Sequence, residues 1–153
     1  MRPSGIRNFV QLTERIATSG QPTPDQLPQI AAAGYRVVIN LAMPDHPESF
    51  AGEAQQVSQL GMQYIHIPVP FDAPEPGHVR QFCEAIQQHE HEQVWVHCIM
   101  NYRVSAFLYL YLKHRRGYGE KEARSPMFDH WQPDPVWQEV LNWNAEVTDS
   151  DVR

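Results

Sequence analysis

The residues best suited to chemistry in this chain surround Cys98, at the end of an apolar run. His97 precedes the cysteine and Arg103 follows it five positions later, within the stretch VHCIMNYRVSAFLYLYL. Between a strand and a helix, successive backbone N–H groups can converge, bind anions and favour a thiolate over a thiol. A guanidinium beside such a turn offers a planar fork to an oxyanion. The pattern therefore predicts an anion-binding loop in which Cys98 is a nucleophile and Arg103 closes the ring.

Two residues inside this stretch fit the same loop. Asn101 can adopt the positive φ that a tight turn needs near its middle, because Asn is the usual substitute for Gly there. Ser105 lies two residues after Arg103, and its hydroxyl can stabilise the sulfur of Cys98 as a leaving group. Besides the cysteine and the arginine, the candidate anion-binding loop comprises His97, Ile99, Met100, Asn101, Tyr102, Val104 and Ser105.

A rigid frame must position this loop, and the apolar pattern along the chain predicts one. The segments YRVVINLA, MQYIHIPV and QVWVHC are mostly apolar and rich in β-branched residues, which predicts three strands. Helical patterns separate these strands, and the segment from Val104 to Leu112 is apolar nearly all round, as a buried helix is. The alternation predicts an α/β fold with a parallel-sheet core and helices on both faces. Ligands of such sheets bind beyond the carboxyl ends of the strands, where Cys98 and Asp72 stand.

Capping residues predict the ends of the first helix. Thr23 and Gln26 form a T-x-x-Q capping box, and Pro24 suits the first helical position. Pro28 is awkward in this helix because it removes an N–H group. Gly34 is expected to end the helix as the residue after the C-cap.

Apolar stripes at helical spacing predict two further helices. The stripe of the second helix, which Gly61 closes, is Phe50, Ala54, Val57 and Leu60. The stripe of the third helix is Val79, Phe82, Cys83 and Ile86. Because Cys83 lies on this stripe, we interpret it as a core residue. A last helix is expected to begin at Asp134-Pro135.

Length, charge and cysteine content narrow the classes of protein. The 153 residues are expected to form a single domain, 1–153. The net charge of −6 speaks against a nonspecific nucleic-acid binder or a binder of anionic membranes. Two cysteines, no secretory signal and no apolar run of roughly 18 residues lead us to expect a cytoplasmic protein. We expect no metal and no other cofactor, and the oligomeric state stays open.

Several of these motifs together resemble known families. The HC…R pattern between a strand and a helix, with Asp72 on an earlier loop, resembles the cysteine-dependent protein tyrosine and dual-specificity phosphatases. Their signature is H-C-x5-R followed by Ser or Thr, whereas this chain has C-x4-R, the spacing of rhodanese-like sulfurtransferases. SGQP, QL…AAAGYRVVINL and RVSAF also resemble a bacterial phosphatase-like, beta-lactamase-hydrolase-associated domain family, over most of residues 10 to 115. This resemblance implies a phosphatase-like α/β fold.

The leading hypothesis is a phosphatase that hydrolyses a phosphomonoester through a cysteinyl-phosphate on Cys98. Arg103 and the N–H groups of the loop would bind the phosphate oxygens, while His97 would orient the loop and tune the thiol. Asp72 would protonate the leaving oxygen, with Asp45 and Glu75 as alternative acids. The partner would be a phosphorylated small molecule or a phosphoprotein.

Two alternatives remain open from the sequence. A rhodanese-like sulfurtransferase would carry a persulfide on Cys98 and would need no general acid. A phospho-ligand binding module would bind phosphate esters without turning them over, because its loop is one residue short.

Overall fold

The computed structural model describes residues 5–149 and contains a mixed five-stranded sheet. Its strands are β1 (Val10–Gln11), β2 (Ile16–Ser19), β3 (Val37–Asn40), β4 (Gln63–His66) and β5 (Val94–His97). They lie in the order β1-β2-β5-β3-β4. β1 runs antiparallel to β2, and the other pairs are parallel.

The predicted α/β layout, with helices on both faces of a largely parallel sheet, is confirmed. The prediction lacked β1 and β2, which form an antiparallel hairpin at one edge. β1 has only two residues, and β2 reads IATS, too short and too polar for a clear apolar run. All four residues of β2 are nevertheless buried, because β2 pairs with the central strand β5.

The helices are α1 (Leu27–Ala32), α2 (Glu53–Gln59), α3 (Pro76–Gln88), α4 (Tyr102–Leu110), α5 (Glu120–Ala123) and α6 (Pro135–Leu141). A π-helical turn, Tyr111–Arg115, continues α4, and 3₁₀ turns span Pro126–Asp129 and Ala145–Thr148. No helix within residues 5–149 is long and apolar enough to cross a membrane.

The side chains of β5 alternate between two apolar clusters on opposite faces of the sheet. Val94 and Val96 point into the larger cluster, which includes residues of α3, α4 and α6. Trp95 points into the smaller one, with residues of α1 and α2. This two-sided burial explains why the first three residues of β5 are all apolar.

The first helix begins later than predicted. It starts at Leu27 rather than Pro24, because residues 23–26 form a separate turn in which the Thr23 amide donates to the Gln26 side chain at 2.9 Å. Pro28 consequently falls in the first turn of α1, where its missing N–H leaves no helical bond unmade. Gly34 follows the C-cap with φ of +100°, as predicted.

The apolar stripe of α2 was predicted one residue out of place. Ala54 is exposed, whereas Glu53 is buried together with Val57. Positions 53, 57 and 60 lie on one helical face, so the buried carboxylate occupies a core-facing position. The stripe of α3 and the start of α6 at Asp134-Pro135 are confirmed; the Asp134 side chain accepts a hydrogen bond from the Trp137 amide at 3.0 Å.

Candidate active site

The carboxyl ends of three strands meet at one edge of the sheet and carry the candidate site. His97 at the end of β5 stands in register with Ser19 on one side and Asn40 on the other. The loops that follow these strands therefore converge, as expected for ligand sites of parallel sheets. Because β5 lies between β2 and β3, Cys98 has the end of another strand on each side.

The loop from Cys98 to Asn101 makes the tight turn that the sequence predicts. Asn101 has φ of +71° and ψ of 12°, and α4 begins at the next residue. Its side-chain amide donates to the Thr18 hydroxyl at 2.9 Å and to the Asn8 carbonyl at 2.8 Å. The Ser105 hydroxyl donates to the Asn101 carbonyl at 2.7 Å. The turn is therefore held by the segment that precedes β1, by β2 and by α4 together.

Gly20, in the SGQP segment, packs directly behind this loop. A Cβ atom at Gly20 would lie 2.3 Å from the carbonyl oxygen of Ile99. The Gln21 amide donates to that same carbonyl at 3.0 Å. Only glycine allows this approach, so SGQP supports the back of the loop in addition to preceding the first helix.

The buried imidazole of His97 connects the loop to α2. Its Nδ1 lies 3.1 Å from the Cys98 carbonyl oxygen, and its Nε2 lies 2.5 Å from Glu53 Oε2. The other carboxylate oxygen of Glu53 accepts a hydrogen bond from the Gln21 side chain at 2.9 Å. We call His97, Glu53 and Gln21 the buried polar triad.

The charge of Glu53 is stabilised within this triad. Burial raises the pKa of its carboxyl, but the charge of His97, the hydrogen bonds from His97 and Gln21, and the charge of His66 outweigh it. The net pKa of Glu53 lies below its ordinary value. The sequence analysis missed this residue; the stripe of α2, which fits Glu53 better than Ala54, was the available signal.

Cys98 and Arg103 line a common cavity of about 550 Å³. The Cys98 side chain is buried near the N-terminus of α4. The guanidinium of Arg103 donates to the Val69 carbonyl at 2.8 Å and lies 5.5 Å from the centre of the Phe71 ring. Its Nε is buried and has no hydrogen-bond partner among the described residues. The cavity thus brings together a thiol and a fixed cation that keeps an unused donor.

The remaining walls of the cavity are mostly apolar. They are formed by Met43, Asp45, His46, Phe71, Ile99, Met100 and Tyr102. The Tyr102 ring stacks on Trp131, with centroids 4.8 Å apart. Trp137 donates from its indole N–H to the Phe71 carbonyl at 2.7 Å, which fixes the loop that carries Phe71. Tyr102 and Phe71, the two aromatic residues of the cavity wall, are therefore held in place.

The three candidate acids occupy different surroundings. Asp72 follows Phe71 on an exposed turn and is not among the residues lining the cavity. Asp45 lines the cavity. Glu75 caps α3 in a capping box with His78. The role of Asp72 as the acid stays a prediction, and Asp45 is the candidate that the fold places in the cavity wall.

The relatives of this chain agree with its fold. Residues 8–126 match the model of a family described as a DSP-PTPase phosphatase fused to NAD+ kinase. The chain belongs to this family. The predicted resemblance to bacterial phosphatase-like domains related to protein tyrosine phosphatases is thereby confirmed.

Individual relatives extend this result. A protein from Shewanella putrefaciens CN-32, named as a candidate phosphatase (DUF442), has 35% sequence identity and a TM-score of 0.81, covering 94% of this chain and 92% of its own. PTPMT1, solved in complex with PI(5)P, shares the fold at 13% identity and a TM-score of 0.74, covering 91% of this chain and 93% of its own. A beta-lactamase hydrolase-like protein of Xylella fastidiosa (strain Temecula1) is 36% identical over 94 residues, which are 59% of this chain. The matched segment is 21% of that protein, so the chain spans about a fifth of the length of the curated relatives it matches.

Proposed function

We propose that this chain is a cysteine-dependent phosphatase that hydrolyses a phosphomonoester through a cysteinyl-phosphate on Cys98. The observation that carries the proposal is the common cavity of Cys98 and Arg103, at a loop whose Asn101 has a positive φ. A phosphoryl group has tetrahedral oxygens that backbone N–H groups and a guanidinium can bind together. The family and the fold support a phosphatase of this type.

In the first step the Cys98 thiolate attacks phosphorus, so that a sulfur–phosphorus bond forms and the bond to the ester oxygen breaks. The N–H groups from Ile99 to Arg103 and the Arg103 side chain bind the other phosphate oxygens. An acid, Asp72 or Asp45, gives its proton to the leaving oxygen. The alcohol or phenol then leaves, and the phosphoryl group remains on sulfur.

In the second step water attacks phosphorus and the sulfur–phosphorus bond breaks. The carboxylate left by the first step takes a proton from this water, and the thiolate is regenerated. Ser105 has the hydroxyl that would stabilise the departing sulfur, although it now donates to the Asn101 carbonyl. Its role therefore requires a rotation of the hydroxyl.

The apolar walls of the cavity support an ester whose leaving group is flat or apolar next to its phosphate. Phe71, Met100 and Tyr102 can cover such a group. Arg103 supplies the positive charge for the phosphate. A phosphorylated small molecule or a phosphoprotein side chain both meet this description. A thiolate mechanism also requires a reduced Cys98, which the reducing cytoplasm would maintain.

Turnover of a generic aryl phosphate between pH 5 and 8 tests the proposal. Wild type and Cys83→Ala should release phosphate at similar rates, because Cys83 is buried on α3 away from the site. Cys98→Ser should lose turnover entirely. If the folded, reduced wild type does not release phosphate from any ester tried, or if Cys98→Ser keeps its rate, the phosphatase proposal is wrong.

The C-x4-R spacing favours one second candidate, a sulfurtransferase with a persulfide on Cys98. Here the sulfane sulfur of thiosulfate would be transferred to the Cys98 thiolate, with release of sulfite. Mass spectrometry after thiosulfate treatment would then find one added sulfur on Cys98. Saturable binding of phosphate esters, with neither turnover nor persulfide, would instead indicate a binding module.

A further inference from the structure

Both ring nitrogens of His97 face oxygen atoms that can accept hydrogen bonds. Nδ1 faces the Cys98 carbonyl at 3.1 Å, and Nε2 faces Glu53 Oε2 at 2.5 Å. A backbone carbonyl cannot donate, and a neutral imidazole donates from only one nitrogen. Both contacts are therefore hydrogen bonds at once only if Nδ1 donates to the Cys98 carbonyl and a second proton lies between Nε2 and Glu53.

Gln21 restricts where this second proton can lie. Its side-chain nitrogen donates to Glu53 Oε1 at 2.9 Å and to the Pro22 carbonyl at 3.0 Å. Because Oε1 already accepts this hydrogen bond, Oε2 is the carboxylate oxygen that would share a second proton with His97 Nε2. With this second proton, the triad contains either an imidazolium with a carboxylate or an imidazole with a carboxylic acid.

The surroundings of Glu53 favour the ion pair. The titratable neighbours on β4 are His66, whose charge favours the carboxylate, and Tyr64. Burial and the charge of Glu53 raise the pKa of Tyr64 to about 12, so its phenol stays neutral. With two hydrogen bonds donated to it, the carboxylate of Glu53 keeps its charge.

The loop side of the imidazole holds the groups that this charge would act on. Cys98 follows His97 directly, and Arg103 lies at the start of α4. The imidazole stands between Glu53 and the Cys98 backbone, so the positive end of the ion pair is directed toward the loop. A positive charge near a thiol favours its thiolate.

We propose that Glu53 is a positioning residue that keeps His97 protonated, so that the imidazolium holds the Cys98 carbonyl and favours the Cys98 thiolate. Gln21 assists by occupying the second oxygen of the carboxylate. This inference rests on the proposed function only in that the thiolate is taken to serve as the nucleophile. It assigns α2 and the SGQP segment a role in preparing the nucleophile.

Two measurements that need no turnover test this role. Proton-coupled ¹⁵N spectra of histidine-labelled wild type at neutral pH should show a proton on both ring nitrogens of His97. In Glu53→Gln the Nε2 proton should be lost, because an amide oxygen stabilises the imidazolium far less than a carboxylate does. A singly protonated His97 in folded wild type would overturn the proposal, and this test does not depend on any variant.

The second measurement is the rate of Cys98 alkylation by iodoacetamide as a function of pH, with mass spectrometry to locate the adduct. Cys83 stays unreactive, because burial raises the pKa of its thiol to about 12. Below the midpoint of the pH profile, Glu53→Gln should react about tenfold more slowly than wild type, as for a one-unit upward shift of the midpoint. Glu53→Asp, which keeps the charge, should recover part of this rate.

Glu120→Gln is the matched control, because Glu120 is exposed and contacts Lys113 and Tyr109 away from the cavity. It should react like wild type. If Glu53→Gln is folded by circular dichroism and also reacts like wild type, Glu53 has only a structural role. Failure of phosphate release with both results as expected would remove the proposed function and leave this inference intact.

Discussion

Gly20→Ala is expected to displace the candidate anion-binding loop, because the glycine touches the loop backbone. The added Cβ would lie 2.3 Å from the Ile99 carbonyl oxygen. Ordinary carbon–oxygen contacts are about 3.3 Å or longer, so one of the two segments must move by about 1 Å. The position of the Cβ atom is set by the backbone and the oxygen is a backbone atom, so no side-chain rotation can relieve the contact.

The energetic cost follows from two contributions. Inserting a methyl group into a packed site costs about 1–3 kcal/mol. The same movement weakens the hydrogen bond from the Gln21 amide to the Ile99 carbonyl, worth about 1 kcal/mol. We therefore expect the free energy of unfolding to fall by about 2–4 kcal/mol. With a urea m-value of about 2 kcal/mol/M, the midpoint should fall by about 1–2 M.

Catalysis should suffer more than stability if Cys98 is the nucleophile. A misplacement of about 1 Å at a reacting group can reduce the rate by about 100-fold. Urea unfolding and aryl phosphate turnover should therefore be measured on the same preparation. Comparing them separates a displaced loop from an unfolded chain.

Gly77→Ala is the matched control for this experiment. A Cβ at Gly77 would meet nothing within 4 Å, and the residue lies in the first turn of α3. Its unfolding midpoint should equal or slightly exceed that of wild type, since Ala is the better helix former. A Gly20→Ala protein with wild-type stability and wild-type turnover would show that the close approach to Ile99 does not exist in solution.

Three further predictions concern single residues of the site. Asn101→Ala should lower the free energy of unfolding by about 2–3 kcal/mol, because Ala disfavours φ of +71° and loses two side-chain hydrogen bonds; urea unfolding measures this, and an unchanged midpoint would contradict it. Glu53 has a folded-state pKa below its unfolded value, so the stability it contributes should be present above about pH 4.3 and be lost as the pH falls through the folded value. In urea titrations the stability advantage of wild type over Glu53→Gln should accordingly shrink on acidification, and a constant difference would exclude this linkage. Asp72→Asn should abolish the basic limb of the pH–rate profile if Asp72 is the acid; a profile like that of wild type would transfer the role to Asp45, to be tested with Asp45→Asn.

The sequence by itself determined the parts of this protein that depend on local patterns. Apolar runs of β3, β4 and β5 and the stripe of α3 follow from periodicity within each element. The positive φ of Asn101 follows from the few residue types that tolerate a tight turn. The C-x4-R loop, with its strand before and its helix after, is likewise contained in one continuous segment. All of these features depend on residues that are close together in the sequence.

Tertiary structure alone decided which distant residues meet. His97 and Glu53 are 44 positions apart, and Arg103 and Val69 are 34 apart. Their contacts depend on the strand order β1-β2-β5-β3-β4, which brings the ends of β2, β3 and β5 into register. A helical wheel shows that Glu53 faces the core, but it does not show the buried partner that makes a charge tolerable there. That partner is His97, and the tertiary structure supplies it by placing α2 beside the end of β5.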